Sequence, residues 1–234
     1  MAGSLALVCL LAALGSPPVL AEDGRVSGAG AGFSPQHADF QDEQPSQSAR
    51  QMADWVLDAR DSPGMPFVIV DKMLARVFVF HPDGRLRGAS AALLGLAVGD
   101  DAVPGIGGRK LSSIRPHERT TPAGRFVAAL DHNLHGAEIL WVDYDGAVSL
   151  HPVVAGQPAE HRAQRLASPT PLDNRISYGC INVPVDFFRQ VVSAAFAAGP
   201  GIVYVLPETR PLQKVFAWYD VDGPAGMKIR LTQR

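Results

Sequence analysis

A mainly β domain carrying one or two packed helices is the fold class this chain predicts. Three observations carry that expectation. Short β-branched and aromatic runs alternate with Gly, Pro and Asp turns, an Asp-Gly pair joins two such runs, and only one strongly amphipathic helical segment follows late in the chain. With 234 residues, 47% of them hydrophobic, there is apolar material for one sizeable core. Only 19% of residues are charged, and 21 Lys and Arg against 23 Asp and Glu leave a net charge of −2. Such a balance offers no basic stripe to displace phosphate counterions, so no nucleic-acid partner is expected.

Residues 1–21, MAGSLALVCLLAALGSPPVLA, contain no charged side chain. The apolar run from Leu5 to Leu14 is too short to span a bilayer and has the length of a signal-peptide core. Gly15, Ser16, Pro17 and Pro18 then break the helix, and Val19-Leu20-Ala21 offers a cleavage position. This segment is read as an export signal, with no stable membrane insertion expected after cleavage. Cleavage would remove Cys9 and leave Cys180 as a single thiol. In an oxidising compartment such a thiol is either sealed in the core as a small hydrophobe or kept for the chemistry of its thiolate.

The elements follow in order. Residues 22–47 are rich in Gly, Ser, Gln, Asp and Pro and read as a linker, and Met52, Trp55, Val56 and Ala59 give Ser48 to Arg60 a helical spacing. The linker and this short helix thus occupy 22–63, and one domain is expected over 64–234. Within it, Phe67 to Val70 and Val77 to Phe80 read as strands, with Asp83-Gly84 as a turn. Phe126 to Leu130 and Ile139 to Tyr144 read as further strands, and Asp145-Gly146 turns the second of these into Ala147 to His151. Residues 152–176, with four prolines and no periodicity, read as a long loop. Pro184, Asp186 and Gly199 then frame a helix whose apolar stripe is Phe187, Phe188, Val191, Val192, Ala195 and Phe196. Ile202 to Leu206 and Val215 to Tyr219 are expected to close the domain as strands.

The chemistry gathers around Cys180, in the run Ser177-Tyr178-Gly179-Cys180-Ile181-Asn182. Gly179 permits backbone conformations closed to other residues, so successive N–H groups can converge on one point. A thiolate near neutral pH needs a histidine partner. Seven histidines are present. In Ala147-Val148-Ser149-Leu150-His151, Val148 and Leu150 share the apolar face while Ala147, Ser149 and His151 share a small, polar one. That arrangement suits a base reaching a thiol on a neighbouring loop, and equally suits a surface histidine at a strand end. His161 is a second candidate base. His132-x-x-His135, with Asp131 and Glu138, is a loose set of metal-ligand types without a known catalytic spacing. Gly105-x-Gly107-Gly108-Arg109-Lys110 lacks the order of a phosphate loop and reads as a surface turn.

The segment ISYGCINVP resembles the active-site signature of the L,D-transpeptidase catalytic domain family. Thr120-Thr121-Pro122-Ala123-Gly124-Arg125-Phe126 is similar to a Thr-Pro-x-Gly-x-Phe turn of those domains, and Val68–Val70 with Val77–Phe80 is similar to their first hairpin. The likeness runs from about Phe67 to Leu206. It implies a compact L,D-transpeptidase-like β-sandwich, exported to a periplasmic or cell-wall-associated location, that transfers acyl groups on peptidoglycan stem peptides; no cofactor and no metal are expected. Carried over by position, Cys180 is the nucleophile, His151 the base and Gly179 part of the oxyanion turn, where backbone N–H groups near Tyr178, Gly179 and Cys180 meet the oxyanion; Ser177 is expected either to orient the histidine through its hydroxyl or carbonyl or to satisfy the turn. Arg162, Arg175 and Asn182 are the candidate substrate-binding residues. The chain departs from the pattern at three points: Pro152 follows the histidine where a glycine is usual, Tyr178 replaces a histidine, and the gap from His151 to Ser177 is long, whereas that from His161 is ordinary. Water or an amine as acyl acceptor, and the oligomeric state, stay open, as do two alternatives: a non-catalytic wall-binding domain and a metal-dependent hydrolase.

Overall fold

The computed structural model describes residues 36–154 and 156–216. The export segment read at 1–21 lies outside them. Eight strands form one sheet in the order β3-β2-β1-β10-β5-β6-β7-β9, and β4 pairs with β8 beside it. The strands are β1 Phe67–Asp71, β2 Arg76–Phe80, β3 Leu86–Ala91, β4 Leu94–Gly95, β5 Gly124–His132, β6 Glu138–Asp143, β7 Val148–Pro152, β8 Arg175–Ser177, β9 Ile181–Val183 and β10 Gly201–Val205. Most neighbours are antiparallel, but β1 runs parallel to β10 and β7 parallel to β9. The mainly β class expected from the sequence is therefore the observed one.

β1 and β2 are buried on both faces, which is why their sequences are nearly continuous apolar runs. Val68, Val70, Val77 and Val79 point into a core shared with Leu140, Leu150, Ile181, Val183 and Val203, so the two ends of the sheet close over a common interior. A helical run over residues 185–196, with a π-helical stretch at Phe188–Ser193, adds Phe188, Val192 and Phe196 to it. Phe67, Ile69, Phe78 and Phe80 face the other way and pack under α1, Gln47–Asp58, through Met52, Val56 and Leu57. Ser46 caps α1 by accepting from the Ala49 N–H at 3.1 Å.

Three elements differ from the sequence expectation. Residues 36–46 were expected as the end of a linker, yet Ala38 and Phe40 are buried, and Asp39 exchanges backbone hydrogen bonds with Gly84 and Leu86. Phe40 sets its ring edge-on to Phe78 and Phe80, a contact between distant segments that composition does not reveal. Val215 ends a short helix, Leu212–Val215, instead of opening a strand, and Phe216 is fully buried; the rest of that segment lies outside the described residues. The long loop contains α2, Arg162–Ala167, and delivers the edge strand β8.

A buried charge network sits behind the site. Lys72, 0% exposed at its side chain, donates to Asp100 Oδ1 at 2.9 Å, to the Gly99 carbonyl at 2.6 Å and to the Thr121 carbonyl at 2.9 Å. Burial pushes the Asp100 carboxyl up, but the Thr209 hydroxyl, Lys72 and the N–H groups of Glu208 and Thr209 outweigh it and hold the group well below the usual carboxylate range. A carboxylate depressed in this way stabilises the fold above its unfolded pKa and loses that contribution as pH falls through the folded value. Lys72→Met leaves two buried carboxylates short of a partner and is expected to cost about 3–5 kcal/mol. In urea denaturation the native protein should weaken steeply below roughly pH 4, and the variant should show a flatter profile.

Candidate active site

Parallel pairing of β7 with β9 sets Leu150 opposite Ile181 and His151 opposite Asn182. Side chains alternate along a strand, so Leu150 and Ile181, both 0% exposed, enter the core. Ser149 and His151 share the opposite face with Cys180 and Asn182, and Ser149 Oγ lies 3.7 Å from Cys180 Sγ. Cys180 is half-buried, not sealed among aliphatic groups. The Ala147 carbonyl stands 3.7 Å from its sulfur.

The turn that presents the thiol is held from several sides. Gly179 has φ +128°, and a Cβ there would stand 2.8 Å from the Thr120 carbonyl oxygen, so both conformation and space require glycine. Thr121, fully buried, donates its hydroxyl to the Gly179 carbonyl at 2.8 Å and accepts from the Gly95 N–H at 2.8 Å. Because Lys72 grips the Thr121 carbonyl, the buried charge network braces the cysteine turn. Ser177 donates to the Cys180 carbonyl at 2.6 Å and accepts from the Gly179 N–H at 3.1 Å. Its hydroxyl therefore closes the turn instead of orienting the histidine, and it occupies one N–H that the sequence reading assigned to the oxyanion.

Cys180 and His151 act electrically on each other. Burial pushes the Cys180 thiol up, but the hydrogen bond and charge of His151, with the Ser149 N–H and hydroxyl, outweigh it and hold the thiol below its ordinary value. Burial likewise pushes His151 down, while the hydrogen bond and charge of Cys180 and the Pro152 carbonyl raise it above its ordinary value, against the opposing charge of Arg162. His151 Nδ1 donates to the Pro152 carbonyl at 2.8 Å, a bond that needs only a carbonyl and so tolerates proline at this position. Nε2 lies 3.0 Å from Asn182 Nδ2.

The other sequence-derived candidates fall in distinct places. His161 is exposed, with φ +48°, and lines a surface depression with Val153, Val154, Pro158 and Arg162. His151, by contrast, lies on the face of β7 that also carries Ser149, whose Oγ is next to the Cys180 sulfur. Arg175, a candidate for substrate binding, pairs with Glu208 and donates to the Lys72 carbonyl at 3.0 Å, which ties it to the buried network. Asn182 is 1% exposed and lies between Arg162 and His151, so its amide is engaged inside the protein. Tyr178 is exposed beside the thiol, with the Arg119 guanidinium 3.8 Å over its ring. Arg119, Thr121 and Ser149 were not singled out as site residues; the Thr-Pro-x-Gly-x-Phe-like run signalled Thr121, and the period-two spacing from His151 signalled Ser149. His132 and His135 are exposed on the β5–β6 hairpin, and among the described residues no three His, Cys, Asp or Glu side chains are gathered for a metal ion.

No protein-family model and no curated protein matches the chain. Solved structures similar to it include an L,D-transpeptidase from Xylanimonas cellulosilytica, 16% identical with a TM-score of 0.37, covering 61% of this chain and 60% of that one. The helical cell shape determining protein Pgp2 from Campylobacter jejuni is 14% identical, with a TM-score of 0.41 over 71% of this chain and 58% of that one. The catalytic domain of an E. faecium L,D-transpeptidase is 16% identical, with a TM-score of 0.34 over 61% and 98%. The chain spans about three fifths of the length of the first two. No helix among the described residues is long and apolar enough to cross a membrane.

Thr121→Val removes both hydrogen bonds that tie the cysteine turn to its neighbours. It should cost about 1–3 kcal/mol in urea denaturation and slow alkylation of Cys180 by iodoacetamide, with the thiol still present by mass.

Proposed function

We propose that the protein is an exported cysteine acyltransferase acting on peptidoglycan stem peptides, of L,D-transpeptidase or L,D-carboxypeptidase type. The observation that carries this reading is the half-buried Cys180 thiol in the turn just before β9, with Ser149 Oγ 3.7 Å from its sulfur and His151 on the same face of β7; beside each other the thiol is held below its ordinary value and the imidazole above it. Buried thiols without such a partner ionise late and stay inert; a depressed one is the nucleophile that acyl transfer needs. The ISYGCINVP run adds the peptidoglycan assignment through its likeness to the L,D-transpeptidase signature.

The reaction has two halves. His151 takes the Cys180 proton, and the thiolate attacks the carbonyl carbon preceding the terminal D-residue of a stem peptide. The C–S bond forms, the tetrahedral intermediate collapses, and the C–N bond breaks as the imidazolium protonates the leaving amine. An amine or water, deprotonated by His151, then attacks the thioester, and the thiol returns with that proton. Gly179 gives its N–H to Ser177, so the oxyanion falls to the neighbouring N–H groups of the turn, each worth roughly 3 kcal/mol when well placed. Tyr178, with Arg119 stacked on it, forms the exposed wall past which the peptide reaches the sulfur.

Two measurements test the reading. Incubation with a stem tetrapeptide, followed by mass spectrometry, should show loss or exchange of the terminal D-residue with the native protein and none with Cys180→Ala. The rate of alkylation of Cys180 should rise with pH through a midpoint below the roughly 8.5 of a free cysteine. His151→Gln removes the imidazole and leaves the burial, so the midpoint should climb to that value or above, with at least a tenfold slower reaction at neutral pH. A non-catalytic wall-binding domain predicts an ordinary thiol and no dependence on His151.

A further inference from the structure

The long segment between His151 and Ser177 folds back onto the catalytic pair through one side chain. Arg162, at the start of α2, is 13% exposed and donates from Nε to Glu160 at 2.7 Å and from Nη1 to Asn182 Oδ1 at 2.8 Å. A guanidinium only donates, so Asn182 must present its oxygen to Arg162 and its NH₂ to His151 Nε2, 3.0 Å away. At the other ring nitrogen, Nδ1 already donates to the Pro152 carbonyl. These contacts favour the neutral tautomer of the ring that carries its proton on Nδ1. An imidazolium would bring a proton on Nε2 against the Asn182 NH₂, and the amide cannot flip without turning that NH₂ onto the guanidinium.

We propose that Arg162 is a positioning residue that, through Asn182, holds His151 in its neutral Nδ1–H form and so opposes formation of the thiolate–imidazolium pair. The charged and titratable groups acting on the ring are Cys180 from the turn before β9 and Arg162 from α2, with Glu160 partly balancing the latter. The positive charge of Arg162 and the hydrogen-bond chain it organises work in the same direction, both against protonation of His151. The brake is local to the segment that lengthens the His151-to-Ser177 gap, which gives that insertion a task in the site. This inference rests on the reading of Cys180 and His151 as a catalytic pair.

The test is the pH dependence of Cys180 alkylation by iodoacetamide in the full chain. Arg162→Met should lower the midpoint by roughly 0.5–1 pH unit, because both the opposing charge and the hold on Asn182 are gone. Arg162→Lys keeps the charge and one donor, and should return the midpoint most of the way. In an Asn182→Leu background, Arg162→Met should shift the midpoint by no more than half as much, since the hydrogen-bond route is already absent. An unchanged midpoint in Arg162→Met, with the thermal midpoint and far-UV spectrum preserved, overturns the inference, and so does an equal shift in the Asn182→Leu background. If His151→Gln itself leaves the native midpoint unmoved, the catalytic pairing has failed instead, and the two failures are told apart.

Discussion

The parallel ladder between β7 and β9 is the constraint on which the site depends. With Leu150 opposite Ile181 and His151 opposite Asn182, alternation sends the two aliphatic side chains into the core and the polar set to the other face. A slip of one residue in β9 would turn Asn182 toward the valines of the core and take Ile181 out of it, exchanging apolar burial for an amide without its partners. The hydrophobic core thus enforces the register, and the register brings an imidazole to a sulfur that lies 29 residues further along the chain in sequence. Burial that stabilises the fold and proximity that enables chemistry are the same event at this edge of the sheet.

Around that ladder the protein has built two layers of restraint. Behind the cysteine turn, Thr121 links the Gly179 carbonyl to Gly95 and, through its own carbonyl, to Lys72 and the carboxylates of Asp100 and Glu208. These charges are costly to bury, so the network is weak evidence of extra stability and better evidence of a fixed geometry at the turn. Beside the imidazole, Pro152, Asn182 and Arg162 hold the ring by both nitrogens. The opposing influences on His151 leave it raised, because the thiol beside it outweighs burial and the arginine.

Much of this was legible before any coordinates. The runs at Phe67–Val70, Val77–Phe80, Phe126–Leu130 and, as far as Asp143, Ile139–Tyr144 are strands because β-branched and aromatic residues dominate them, and Asp145-Gly146 does turn β6 into β7. The alternation around Ser149 and His151 placed both on a polar face, and Gly179 marked the turn. β3, LRGASA, escaped notice because its small, half-exposed residues carry no apolar period. The fates of Arg175, Ser177 and Asn182 were hidden for another reason. Each is decided by a partner that the fold supplies: Glu208 for Arg175, the Cys180 and Gly179 backbone for Ser177, and Arg162 with His151 for Asn182. Local pattern reports which face a residue occupies, not which group will meet it there.

The central claim is that one imidazole and one thiol share a proton. NMR titration of the His151 ring in the native protein and in Cys180→Ala tests it most directly. The account predicts an apparent pKa above the roughly 6.5 of an ordinary histidine in the native protein, falling once the sulfur is removed and burial and Arg162 act unopposed by it. Identical titration of His151 in the two proteins would contradict it.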